Sequence, residues 1–377
     1  MARPVFHNAF CDFLGIEYPI FLAGMGVGGR ATPPRLVAAV SEAGGAGVLG
    51  CSGLSPDETR RRIREVRALT DRPFGVDLLL PARIADAPAT RTGVREEIRR
   101  RFPEHVAFVR TLIGRHGLPE VLPADETVVN LEYARSVLEV VFDEQVPIFA
   151  AGLGDPDFLQ PRARAQGMKL IGLSGSVRNA VRQHQSGVDA IVAQGTEAGG
   201  HTGSVASLPL IPQVVDAVSP IPVIAAGGIG DGRGVVAALA LGAQAAWLGT
   251  AFLVAEECEI FEASKQQILE SNSESFRVSK VWTGKTVRAF HSEISQAWVE
   301  SGLPELETPH QRILMEDFLA AALAGGRYDL FYNVAGQVGG MLKASRPAKD
   351  IMADLVTGAI DELIRLQRDV RITMAAN

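Results

Sequence analysis

The sequence predicts an α/β protein folded as an eight-stranded parallel barrel, a (β/α)8 or TIM barrel, with a helical second lobe after the eighth strand. Three observations carry this reading. Eight short apolar runs alternate with helical patterns, each run is apolar throughout, and the eighth continues into Gly249-Thr250 and a long further segment. Strands apolar on both faces belong to a parallel sheet covered by helices, and eight such units close naturally into a barrel. An open doubly wound sheet is the alternative, but no Gly-x-Gly-x-x-Gly fingerprint opens the first helix to support it.

The strand candidates are Pro19 to Ala23, Ala46 to Leu49, Phe74 to Leu79, Pro147 to Ala151, Lys169 to Leu173, Ala190 to Ala193, Pro222 to Ala226 and Ala245 to Leu248. Between them the patterns predict helices over Pro33 to Ala43, Pro56 to Leu69, Asn130 to Asp143, Asp155 to Ala165, Ser176 to His184, Leu208 to Ala217 and Gly232 to Leu241. Thr32, Ser55, Asp155 and Ser174 stand where a side-chain oxygen can cap free amides. After the third strand, Pro81 to Thr127 carries two charged helical patterns, about Val94 to Arg101 and Glu104 to Arg115, and is read as a lid or as decoration. Ala255 to Ala344 reads as helical and packs over the mouth, and Ile351 to Leu366 returns as the last barrel helix. The expected division is a barrel of 1–254 and 345–377 with an insertion at 81–127, and a helical lobe of 255–344.

Composition excludes several classes. Of 377 residues, 47% are apolar and 21% charged, and 39 glycines are spread along the chain, which describes a globular enzyme. A net charge of -6 argues against a nucleic-acid partner, whose phosphates demand a basic face. The one basic run, Arg60-Arg61-Arg62 with Arg64 and Arg67, alternates with Glu58 and Glu65 and reads as a solvated helix face. Cys11, Cys51 and Cys258 are odd in number and lack metal spacing, so neither a disulfide framework nor a metal site is expected. No segment holds the ~18 unbroken apolar residues of a membrane span. A soluble, cytoplasmic protein is expected.

Three segments carry chemistry. The first, Gln194-Gly195-Thr196-Glu197-Ala198-Gly199-Gly200-His201, follows the sixth strand. Its glycines let the backbone approach a planar or anionic ligand while presenting one imidazole at a strand top. A lone histidine is more often structural, but this position favours a role for His201 in the chemical step. Glu197 either orients the loop by accepting backbone amides or is solvated, and the loop role is preferred. The second segment, Ala226-Gly227-Gly228-Ile229-Gly230-Asp231-Gly232, opens a helix whose first amides suit a phosphate, and Leu248-Gly249-Thr250 adds an amide and a hydroxyl for the same anion. Either element alone is just a tight turn; together they are the recurrent phosphate arrangement of barrels. The third, Ala23-Gly24-Met25-Gly26-Val27-Gly28-Gly29, either lines the face of an aromatic ring or is a flexible turn. Cys51 ends a strand without a basic neighbour and is read as inert packing.

Together these segments resemble the nitronate monooxygenase family, formerly 2-nitropropane dioxygenases, and the related flavin-dependent enoyl-thioester reductases. Leu14-Gly15-Ile16-Glu17-Tyr18-Pro19-Ile20, Gly44-Gly45-Ala46-Gly47, and Trp282-Thr283-Gly284-Lys285 with Arg288 extend the likeness over nearly the whole chain. The Glu-Ala-Gly-Gly-His signature is specific for the superfamily and poor at separating its members. The resemblance implies FMN, with Ala23, Gly24 and Met25 beside the ring system, Gln194, Gly199 and Gly200 near the ring or ribityl chain, and Gly227, Gly228, Gly249 and Thr250 at the phosphate. It implies that His201 moves a proton near the reacting carbon. Asp77 stands among the implied cofactor contacts where many relatives have Asn, and Leu173 where many have a basic residue. The implied reaction is oxidation of alkyl nitronates or nitroalkanes by O2. The alternatives are NAD(P)H-dependent reduction of an unsaturated thioester, or flavin binding without turnover. A small-molecule substrate, no nucleic acid, no membrane and an open expectation of a homodimer complete the reading.

Overall fold

The computed structural model describes residues 4–26, 29–80, 90–123, 130–152, 154 and 156–370. Eight strands close into one parallel barrel: β1 (Ile20–Leu22), β2 (Ala46–Gly50), β3 (Phe74–Leu79), β4 (Ile148–Gly152), β5 (Lys169–Ser174), β6 (Ala190–Gln194), β8 (Val223–Ala226) and β9 (Ala245–Leu248). The ring is sealed by β9 pairing with β1, Ile20 opposite Ala246 and Leu22 opposite Leu248. Three further strands, β7 (Gly200–His201), β10 (Phe276–Ser279) and β11 (Val287–Phe290), form a small antiparallel sheet in the order β10-β11-β7.

The unbroken apolar character of the strands has a direct cause. Side chains alternate across a strand, and both faces here are buried. Phe21, Val48, Ile148, Ala150, Ile171, Val192, Ile224 and Trp247 pack together inside the barrel, with Phe21 and Trp247 stacked at 5.4 Å. Their chain neighbours Leu22, Leu49, Phe149, Leu170, Ile191, Val223 and Leu248, with Val76 of β3, pack outward against the helices. Phe10, on the helix Ala9–Leu14, joins the inner cluster.

The helix starts agree with the expected caps in part. Ser55 accepts from the Glu58 amide at 3.2 Å. Ser176, rather than Ser174, caps the helix Val177–Gln185, while the Ser174 hydroxyl donates to Gln183 Oε1. Thr32 caps nothing: its hydroxyl accepts from the Gly50 amide at 2.8 Å and donates to the Met25 carbonyl at 3.2 Å, pinning the loop after β1 to the end of β2. Asp155 lies outside the described residues. The last helix, Ala348–Asp369, packs on the helix Gly232–Ala240 and completes the outer ring.

The segment expected to be helical after the eighth strand contains helices Glu262–Glu270, Glu293–Ser301 and His310–Ala324, but also the β10–β11 ladder. Four-residue strands give too few alternations for a periodic signal, which is why helix was expected there. Helices Arg91–Arg101 and Pro103–Arg115, from the segment inserted after β3, pack on His310–Ala324. Val94, Ile98, Val109 and Leu112 share a second apolar core with Trp298, Leu314 and Phe318. Arg95 is buried in that contact and pairs with Asp317 at 2.9 Å. Among the described residues no helix is long and apolar enough to cross a membrane.

The barrel's last helix is seated by backbone contact. A Cβ added to Gly232 would lie 2.2 Å from Gly358 C and from Ala359 N. Gly232→Leu is therefore expected to push the two helices apart and cost about 1–3 kcal/mol through overpacking, read as a lowered urea midpoint at unchanged slope; an unchanged midpoint would contradict this packing.

Candidate active site at the carboxyl ends of the barrel strands

Continuing the inward alternation by one step brings Ala23, Gly50, Asp77, Gly152, Leu173, Gln194, Ala226 and Gly249 to the top of the lumen. Five of these eight are Gly or Ala, so the strand tops form a low floor with two polar groups, Asp77 and Gln194. Substitution has no room in this floor. A Cβ on Gly24 would lie 2.3 Å from Asp77 Cβ, one on Gly50 2.4 Å from the Met25 carbonyl oxygen, and one on Gly249 3.0 Å from Met25 Sδ. Ala23, Gly24, Met25, Asp77 and Gly249 therefore converge, as the sequence reading expected of the third segment if it lined a ring.

Half-buried His201 is held by strand pairing. It sits on β7 opposite Val287 of β11, and the Thr202 amide donates to the Thr286 carbonyl at 3.3 Å. Gln194 Nε2 donates to the His201 carbonyl at 2.7 Å, so one end of this amide is committed to the loop. Glu197 takes the loop role: its carboxylate accepts from the Ser207 amide at 3.0 Å and caps the helix Ser207–Val218. The Ser207 hydroxyl reaches Glu197 Oε2 at 2.9 Å and the Gly227 carbonyl at 3.0 Å, tying the loops after β6 and β8 together. Gly199 is pressed against the chain at Ala335 and Gly336, where a Cβ would come within 2.6 Å of backbone. The buried Arg288 locks this loop from above, donating from Nε to the Thr196 carbonyl at 2.9 Å and from Nη1 to the Phe276 carbonyl at 2.6 Å.

The anion seat differs in one respect from the expectation. At the amino end of the helix Gly232–Ala240 the Gly234 amide is taken by Asp231 at 3.2 Å, and Asp231 pairs with Arg233. What remains is the turn before it. Gly227 and Gly228 have φ of +93° and +73°, and among the described residues no acceptor takes the amides of Gly227, Gly228, Ile229 or Gly249. The Thr250 hydroxyl accepts from the Gly336 amide at 2.8 Å and keeps its own proton for donation.

The electrostatics are distinctive. Burial, then the charges of Lys285 and Arg312, push His201 down to about 4, and no carboxylate opposes them. Lys285 is lowered by burial and by Arg312, again without an opposing carboxylate. Arg312 pairs with Glu316 at 2.8 Å, which is shared with Arg91 at 3.0 Å. Beside them, burial raises the Tyr332 hydroxyl, whose ring stacks on Trp282 at 5.1 Å. On the opposite side of the floor, burial alone pushes Asp77 up to about 8. Cys51 is pushed up to about 12 by burial, in keeping with inert packing.

Sequence reasoning reached the glycine rims and His201 but missed Lys285 as a charge, Arg312 and Tyr332. The signal for Lys285 was present in its place, two residues before the strand that faces His201; nothing local marked Arg312.

Comparison with known proteins places this arrangement in context. A sequence model described as nitronate monooxygenase matches residues 7–358. A Mycobacterium tuberculosis protein named as a monooxygenase is 37% identical over 373 residues, 94% of this chain and 97% of that one. A Staphylococcus aureus protein named as a nitronate monooxygenase is 34% identical over 367 residues, 93% and 96% of the two chains. Among solved structures, nitroalkane oxidase from Streptomyces ansochromogenes superposes with a TM-score of 0.81 at 27% identity, covering 95% of this chain and all of the other (100%). FabK from Thermotoga maritima superposes with a TM-score of 0.76 at 29% identity, covering 97% and 99%.

Arg288→Met removes two charge-assisted bonds worth about 1.5–3 kcal/mol each. The expected result is a lowered melting temperature together with faster amide exchange across 195–203. Protection unchanged in that loop would show that Arg288 does not hold it.

Proposed function

The chain belongs to the nitronate monooxygenase family of oxidoreductases, and on that premise we propose that it is an FMN-dependent enzyme oxidising alkyl nitronates with O2. The observation that carries the nitronate reading is the imidazole under the charges of Lys285, which no carboxylate opposes, and of Arg312, which is shared with Glu316. Such a mouth attracts an anion, and a nitronate is one.

The residues fit FMN. A floor of Ala23, Gly50, Gly152, Ala226 and Gly249 leaves room for a flat ring, Asp77 and Gln194 offer polar contacts to it, and the amides of Gly227, Gly228 and Gly249 with the Thr250 hydroxyl are free to take its phosphate. Gly24, Met25, Gly199 and Gly200 complete the contacts. FMN held there would supply the electron transfer between the substrate carbon and O2. The protein's own part is positioning and proton handling. Lys285 and Arg312 orient the anion over the floor, the apolar pair Trp282 and Tyr332 excludes water, and His201 holds or takes the proton on the carbon when the neutral nitroalkane is used.

Reduction of an unsaturated thioester by NAD(P)H is the second reading, favoured by the same two cations, which also suit the phosphates of a thioester carrier. It needs a proton donor at the carbon. An imidazole that ionises at about 4 is neutral at neutral pH and donates poorly. A protein that binds flavin without turnover is the third, and the experiments below separate all three.

The purified protein is expected to be yellow, and in anaerobic stopped-flow its flavin band is expected to bleach faster with propionate 3-nitronate than with NADH, NADPH or an enoyl-thioester. Fastest bleaching by a reduced nicotinamide would replace this reading with the second, and no bleaching by any of them would favour the third. His201→Ala is expected to keep FMN while losing about 10²–10⁴-fold in nitroalkane turnover; an unchanged rate would remove His201 from the chemistry. Because the neutral imidazole is present above about 4 and lost below it, His201 should contribute no limb to kcat/KM between about pH 6 and about pH 8. A limb in that window that disappears in His201→Ala would contradict the electrostatics described for the site.

A further inference from the structure

Asp77 is the one carboxyl on the floor of the site, and its surroundings are unusual for an acid. It extends inward from β3, opposite Gly50 on β2 and Ala150 on β4. Gly24 and Gly152 flank it: a Cβ on Gly24 would meet Asp77 Cβ at 2.3 Å, and one on Gly152 would stand 3.6 and 3.7 Å from the two carboxyl oxygens. The absence of side chains on both sides leaves the oxygens room above the floor. Asp77 is 7% exposed, and among the described residues no hydrogen bond reaches its carboxyl.

Burying a carboxyl with no partner costs free energy, most of all in its charged form. Burial is the only influence acting on it, and it pushes the group up to about 8. The facing elements supply nothing to offset this. The loop after β1 and β4 present Gly24 and Gly152, and the titratable neighbour at the end of β2 is Cys51, whose thiol, pushed up to about 12 by burial, stays neutral well above pH 8. No lysine, arginine or histidine of the described residues acts on the carboxyl. The cations of the site, Lys285 and Arg312, bear instead on His201.

We propose that Asp77 acts as a neutral hydrogen-bond donor to the flavin ring, so that loss of its proton weakens flavin binding and opposes flavin reduction. The inference rests on the FMN reading above and adds to it a pH-sensitive control of the cofactor. A neutral acid both fills its own unmet bond and donates to an acceptor on the ring. The ionised acid has no proton to donate, and its charge repels the negative charge that a reduced ring carries. In the redox balance, two electrons enter the ring from an external reductant and Asp77 takes up or retains one solvent proton beyond those the ring itself binds.

The test uses the full chain stripped of flavin and titrated with FMN by fluorescence at about pH 7 and about pH 9, in the wild type, Asp77→Asn and Asp77→Ala. With ionisation at about 8, roughly a tenth of the acid is neutral at the upper pH, so wild-type affinity is expected to fall about tenfold between the two. Asp77→Asn keeps a donor that does not titrate and should show no such fall. Asp77→Ala should bind more weakly than the wild type at the lower pH and be equally flat, and near-ultraviolet circular dichroism at both pH values verifies that each variant is folded. Potentiometry of the loaded proteins gives a second reading: over the window where Asp77 titrates, the wild-type reduction equilibrium should change by up to a further tenfold per pH unit relative to Asp77→Asn, about 30 mV. Parallel pH profiles in wild type and Asp77→Asn would overturn the inference while leaving the FMN reading intact. A wild type that binds no FMN at either pH would overturn both.

Discussion

Closure of the barrel is the constraint on which the rest depends. Once β9 pairs with β1, each strand must send alternate side chains into a lumen of fixed width. The large ones, Phe21, Ile148, Ile171, Ile224 and Trp247, fill the lower layers, and five of the eight positions above them at the rim are small. These are Ala23, Gly50, Gly152, Ala226 and Gly249. The floor of the site thus rests on the packed layer beneath it, and Asp77 is conspicuous because it occupies a position of that floor with a group the floor does not satisfy.

The segment after the eighth strand supplies what the barrel lacks. β11 fixes His201 through the Val287 pairing, Arg288 clasps the loop that carries it, and Gly336 engages both Gly199 and Thr250. The same segment brings the positive charge of Lys285 and Arg312 to the imidazole. Positioning of His201 and the charge beside it therefore both come from the segment after the eighth strand. The contact of helices Arg91–Arg101 and Pro103–Arg115 with His310–Ala324 braces the element that carries Arg312.

Much of this was legible in the chain because it depends on local spacing. The eight apolar runs, the glycines at 227, 228 and 249 and the Glu-Ala-Gly-Gly-His loop mark the barrel and its rim, since both require particular residue types in immediate succession. What was not legible depends on meetings between distant residues. Thr32 looks like a helix cap but cross-links two loops, and Asp231 takes for its own helix one of the amides expected to meet a phosphate, that of Gly234. Strands β10 and β11 are too short to announce themselves, and Arg312 lies in an ordinary helical pattern whose relation to His201 exists only after folding. The unsatisfied state of Asp77 likewise follows from its neighbours, Gly24 and Gly152, coming from two other strands.

The central claim is that the turns after β8 and β9 grip a phosphate while the floor beneath His201 takes a flat ring. Calorimetric titration of the flavin-free protein with FMN and with riboflavin tests it most directly, since the two ligands differ only in the phosphate. The account predicts that FMN binds at least about tenfold more tightly, as expected of an anion held by several charge-assisted bonds. Equal affinity for the two, or no binding of either, would contradict it.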